Sequence, residues 1–91
     1  MIIENYENEI IEKIEKIDGV KEVVRIYFFG HLTETGMISK DFFIIIIPSF
    51  NTKKEITINT TLTYADDLEE ELEYIINNLT DDIAKKLEDI S

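Results

Sequence analysis

Nearly all the residues of this chain that could do chemistry are carboxylates. Asp and Glu make up 20 of its 91 residues, and six of them (Asp66, Asp67, Glu69, Glu70, Glu71, Glu73) fall within eight positions, with no base among them. Paired carboxylates hydrolyse glycosides only across a concave site, which an exposed run does not offer. A calcium loop needs alternating acids and a glycine at its sixth position. "DDLEEELE" has neither, so divalent cations would associate only loosely. The single histidine, His31, stands beside Gly30 near the tip of an expected hairpin. Ser39, Ser49 and Ser91 lack the setting of a nucleophile elbow. Cysteine is absent, which removes thiolate ligands, thiol nucleophiles and disulfides. Gly30 and Gly36 do not form a phosphate-binding loop. The expectation is a protein that is not an enzyme and carries no metal and no cofactor.

These carboxylates must be positioned by a small set of elements. Ninety-one residues fit one domain, spanning 1–91. At residues 3–18, Ile3, Tyr6, Ile10, Ile14 and Ile17 recur at helical spacing, and Asp18-Gly19 supplies a stop. Residues 20–33 switch to strand alternation. Val24, Ile26 and Phe28 point one way; Val23, Arg25, Tyr27 and Phe29 point the other. "TETG" (33–36) reads as a hairpin turn with Gly36 at the left-handed position. A second strand runs from Met37 to Ile47, is apolar on both faces at its end, and stops at Pro48. A third, 54–63, alternates Ile56, Ile58 and Leu62 against Thr57, Asn59 and Thr61, as a half-exposed edge strand does.

Thr63 and Asp66 are spaced as a capping box. The closing helix then places Leu68, Leu72, Ile75, Ile76, Leu79, Ile83, Leu87 and Ile90 along one stripe. "NNLTDD" (77–82) offers a break, with Thr80 able to cap a second piece. The expected fold is α+β, in the order α-β-β-β-α. A three-stranded antiparallel meander carries two helices on one face, or three if the last is split.

The net charge is −11. It speaks against direct binding of nucleic acid or an anionic membrane, both of which need Lys and Arg. Residues 1–64 hold ten acids and seven bases, and residues 65–91 hold ten acids and two. On the closing helix Asp66, Glu70 and Glu73 oppose the apolar stripe, flanked by Asp67 and Glu71, with Asp81, Asp82, Glu88 and Asp89 continuing the surface. Asp66–Glu70, Asp67–Glu71 and Glu69–Glu73 are repulsive pairs that cost helix stability. One reading is a solvated face that keeps the protein soluble. The other is a surface complementary to a basic partner, which segregation of the charge favours. Its candidate partner-binding residues are Asp66, Asp67, Glu69, Glu70, Glu73, Asp81 and Asp82.

A second candidate surface lies on the sheet. With both helices on one side, nothing in the chain remains to cover the other. An uncovered apolar patch marks an interface, here formed by Val23, Tyr27, Phe29, Phe43 and Ile45 if the odd positions of the middle strand face outward. Self-association as a homodimer, or burial by another partner, is what this surface suggests; the alternative is a sheet that curls so that a long loop covers the face.

The element order, "NYENEIIEKIEKI", "VKEVVRIYFF", "MISKDFFIIII", "KEITINTTLT" and then the acidic helix, matches the double-stranded-RNA-binding domain. That family needs bases at the start of its last helix, where this chain has "ADDLEEELE". The same order joined to strong acidity resembles the small phage-encoded anti-CRISPR proteins that imitate DNA. The resemblance covers nearly the whole chain as element order and charge, without a residue motif. It implies an acidic inhibitor that docks its helix into the basic nucleic-acid-binding site of a defence nuclease. The alternative is a small phage structural or assembly protein that oligomerises through the bare sheet. A plain adaptor using the tip "GHLTETG" is a third reading. The start, "MIIENYENEI", lacks the basic region of a signal peptide, and "FFIIII" is too short to span a bilayer. A cytoplasmic location, in the host cell if the protein is viral, is therefore expected.

Overall fold

The computed structural model describes residues 3–32, 34–64 and 68–90, with side-chain surroundings for 4–30, 34–64 and 72–90. The chain opens with a 3-10 turn, Ile3–Tyr6, that runs into helix α1, Glu7–Glu15. Strands β1 (Val20–Leu32), β2 (Ile38–Pro48) and β3 (Ile56–Tyr64) follow, and helix α2 (Leu68–Ile90) closes the order. The sheet is an antiparallel meander with β2 in the middle. The fold is α+β, α-β-β-β-α, as the sequence pattern predicts.

Two glycines make the corners possible. Gly19 (φ 99°) ends the turn after α1, and Gly36 (φ 80°) lies in the β1–β2 hairpin turn. Both angles are left-handed, where a Cβ would strain the backbone. The Ser49 amide donates to the Gly19 carbonyl at 2.8 Å, which ties the end of β2 to the start of β1.

The core lies between the sheet and the helices. Ile10 and Ile14 descend from α1; Ile75, Ile76, Leu79, Ile83 and Leu87 descend from α2. They meet Val20, Ile26, Phe42, Ile44, Ile46, Ile58 and Tyr64. The burial of β2 alternates strictly from Phe42 to Pro48, with even positions buried. The even positions therefore face the helices. Phe43, Ile45 and Ile47 are left on the open side, which is the parity the sequence left undecided.

Three local expectations are corrected. Alternation put Val23 beside Tyr27, but Val23 pairs with Ile46 and packs against the core, while Val24 is 46% exposed. The cause is a pair of register shifts, at Val20/Glu22 and Val23/Arg25. Each extra residue reverses which way the following side chains point. Next, α2 does not break at 77–80. It is one helix of 23 residues, because Ile76, Leu79 and Ile83 keep one buried stripe through the polar stretch. Thr80 caps no second piece; its hydroxyl donates back to the Asn77 carbonyl at 3.0 Å, a bond made inside a helix. Ile90, expected on the apolar stripe, is 49% exposed, since it lies past Leu87 at the last residue of the helix.

Thr63 is a strand residue paired with Ser39. Its expected capping partner, Asp66, lies outside the described residues.

Candidate functional site

Helix α2 has three distinct sides. At about 100° per residue, its buried stripe of Ile75, Leu79 and Ile83 leaves Tyr74 and Asp81 pointing away from the protein, while Glu88 borders a groove with Ile17, Asp18 and Phe50. Glu73 is rotated from Tyr74 and Asp81 toward α1. It borders a shallow groove with Glu9, Lys13, Leu72, Ile76 and Asn77. Asp82 is rotated the opposite way, toward β3.

The Asp82 side is a clamp. The half-buried Asp82 carboxylate accepts the hydroxyl hydrogen of Thr60, which is a buried polar side chain on β3. Its Oδ2 also lies 3.4 Å from Lys86 Nζ, one turn on. Lys86 in turn donates to the Asn59 carbonyl. Helix and edge strand are thus joined through one acid, one base and one hydroxyl, and the charge of Asp82 is balanced within the chain.

Glu73 and Asp81 differ from Asp82. Both are exposed, and among the described residues neither takes part in an ion pair. Lys85 shares a groove with Asp81 without reaching ion-pair distance. Glu69 and Glu70 belong to α2, but their side chains lie outside the described set, and Asp66 and Asp67 lie outside the described residues altogether. The structure therefore places two candidate carboxylates, Glu73 and Asp81, in solvent and gives a third, Asp82, an internal role.

The open face of the sheet is organised in cross-strand rows. Arg25, Ile45 and Thr57 form one row, Tyr27, Phe43 and Asn59 the next, and Phe29, Asp41 and Thr61 a third. Of the candidate self-association residues, Tyr27, Phe29, Phe43 and Ile45 share this face, and Val23 does not. With Thr57 these four line a shallow depression of about 290 Å³. Phe29 is 57% and Tyr27 39% exposed. The rings touch: Phe29 meets Phe43 edge-on at 5.5 Å, and Tyr27 and Phe29 stack at 6.4 Å.

Arg25 closes one end of this patch. Its guanidinium donates to the Tyr27 hydroxyl at 3.1 Å and lies 5.7 Å from the ring centroid. That hydrogen bond, with the charge interaction of the phenol, raises the Arg25 pKa above its usual value. Arg25 is thereby held on the sheet side, opposite α2, and does not neutralise the helix. At the other end Asp41 accepts the Thr61 hydroxyl hydrogen.

The clamp is the feature that sequence reading missed. Its one legible trace is the i,i+4 spacing of Asp82 and Lys86. Among the described residues no cluster of His, Cys, Asp and Glu is arranged to hold a metal ion, and no described helix is long and apolar enough to cross a membrane. No protein-family model, no curated protein and no solved structure matches this chain.

Proposed function

We propose that this protein is an acidic regulator that binds another protein, docking the solvent side of α2 into a basic site built for nucleic acid. The observation that supports this reading is the exposure of Glu73 and Asp81 on a single unbroken helix, with the chain's one arginine engaged on the opposite layer. Carboxylates on a rigid helix are pre-positioned, so little order has to be imposed on binding. The implied partner class is a DNA-binding nuclease of a host defence system, as in the anti-CRISPR resemblance.

The test is inhibition of DNA binding. Purified RNA-guided nucleases are loaded with guide and offered labelled target duplex, with and without this protein. The reading expects one or more nucleases to lose duplex binding, and excess duplex to reverse the loss. It also expects the Glu73→Lys/Asp81→Lys variant to inhibit at least about tenfold less well, a change of about 1.4 kcal/mol. Unimpaired duplex binding across the panel counts against it, as does inhibition indifferent to the charge reversal.

A further inference from the structure

We infer that the open face of the sheet is covered by a second copy of this chain, stacked face to face with each strand over its own counterpart. This inference concerns the layer opposite α2 and does not depend on what the helix binds.

Three features of the face favour a second copy. The first is area. Strand β2 has 11 residues, so at about 3.4 Å per residue and about 4.8 Å between strands the three-stranded sheet covers roughly 500 Å² before side-chain relief is counted. The projecting rings of Tyr27, Phe29 and Phe43 add to this. The total approaches the about 800 Å² per partner of an ordinary stable interface.

The second feature is the placement of charge. A protein of net charge −11 resists self-association where its acids meet. Here α2, which carries the described acids Glu73, Asp81 and Asp82, lies behind the sheet. Two sheets packed about 10 Å apart, each backed by helices at a similar distance, keep the two α2 layers about 30 Å apart. That is about three screening lengths at 0.1 M salt, so the repulsion is largely lost.

The third feature is self-complementarity. The face is aromatic on β1, aliphatic and aromatic on β2, and threonine and asparagine on β3. A two-fold axis running along the strands would lay the β1 rings on the polar β3 edge. A two-fold axis crossing the strands lays β1 on β1 and β2 on β2, so rings meet rings. The same axis, passing over the Tyr27–Phe43 row, carries the Arg25 row of one copy onto the Asp41 row of the other, with the arginine over Phe29 and one strand to the side of the acid, within reach of its long side chain. The register supports this, because Arg25 and Asp41 lie one row to either side of Tyr27–Phe43. Each dimer then holds two equivalent Arg25–Asp41 contacts, as an isologous interface requires.

Sedimentation equilibrium tests the inference. The wild-type protein at about 100 µM, well above a micromolar dissociation constant, is expected to show the mass of two 10.7-kDa chains. Phe43→Glu, checked for folding by circular dichroism, is expected to be a monomer, and Tyr27→Glu serves if the first fails to fold. Arg25→Asp and Asp41→Arg should each weaken association at least about tenfold. An equimolar mixture of the two reversals should dimerise again, because every cross-contact then joins opposite charges. A monomeric wild type, or a dimer that survives both folded glutamate variants, overturns the proposal. A mixture that fails to associate overturns the strand-over-counterpart arrangement.

Discussion

Lys40 on β2 and Glu4 in the opening turn are 36 residues apart in sequence, and their Nζ and Oε1 atoms lie 2.7 Å apart. Gly30 makes the contact possible. It pairs with Lys40 across the hairpin, and a Cβ at Gly30 would lie 2.6 Å from Lys40 Cε. The lysine stem therefore runs over the bare glycine to reach the N-terminal turn. The pair is partly buried, and the second Glu4 oxygen, Oε2, is buried with no hydrogen-bond partner among the described residues. Removing the lysine strands a partly buried carboxylate, which costs about 1–3 kcal/mol. Lys40→Met is expected to lower stability by that amount in urea unfolding. Lys40→Met/Glu4→Gln is expected to recover part of it, giving a positive coupling in the double-mutant cycle. Gly30→Ala should abolish that coupling, since the methyl occupies the path of the lysine.

The clamp between α2 and β3 gives a second expectation. Thr60→Val keeps the shape and removes the hydroxyl that reaches Asp82. A lost hydrogen bond to a charged acceptor is worth about 1.5–3 kcal/mol when buried, and Asp82 is half-exposed, so about 1 kcal/mol is expected. Asp82→Asn, which can still accept from Thr60, should cost less than Asp82→Ala. Urea midpoints at neutral pH check the order, and equal midpoints for the two Asp82 variants would show that the hydroxyl contact contributes nothing.

Continuity of α2 is testable at Thr80. At a helix N-cap, threonine replaced by alanine costs about 1 kcal/mol. Inside a helix the same change removes a β-branched residue and a back-bond, and stabilises by up to about 0.7 kcal/mol. Thr80 donates to Asn77 within an unbroken helix, so Thr80→Ala is expected to raise the thermal midpoint. A fall would mean that a second helix begins there.

The element order was readable because period 3.6 and period 2 separate cleanly along this chain, and Gly19 and Gly36 mark the turns. Other features were not. Val23 and Val24 are the same residue type, so no side-chain pattern shows where the strand bulges, and parity at the start of β1 was misread by one. Polar residues at 77–82 suggested a break because local propensity is weak there, yet burial of Leu79 and Ile83 outweighs it. Tertiary packing decides helix continuity in such cases. At the candidate site, helical spacing alone placed Glu73 and Asp81 in solvent. It could not tell Asp82 from Asp81, because their difference depends on Thr60 of a strand that meets the helix only in the fold. The Lys40–Glu4 contact left no local trace at all.

The central claim is that the exposed side of α2 is a docking surface rather than a solubilising one. The most direct measurement is the dissociation constant of the complex with a nuclease it inhibits, followed from low to physiological salt, for wild type and for Glu73→Lys/Asp81→Lys. Contacts between exposed charges weaken as the screening length falls from about 30 Å at 0.01 M to about 8 Å at 0.15 M. The wild type should therefore lose affinity steeply with salt, and the variant should bind more weakly with a visibly shallower dependence. Parallel curves of equal affinity would contradict the claim.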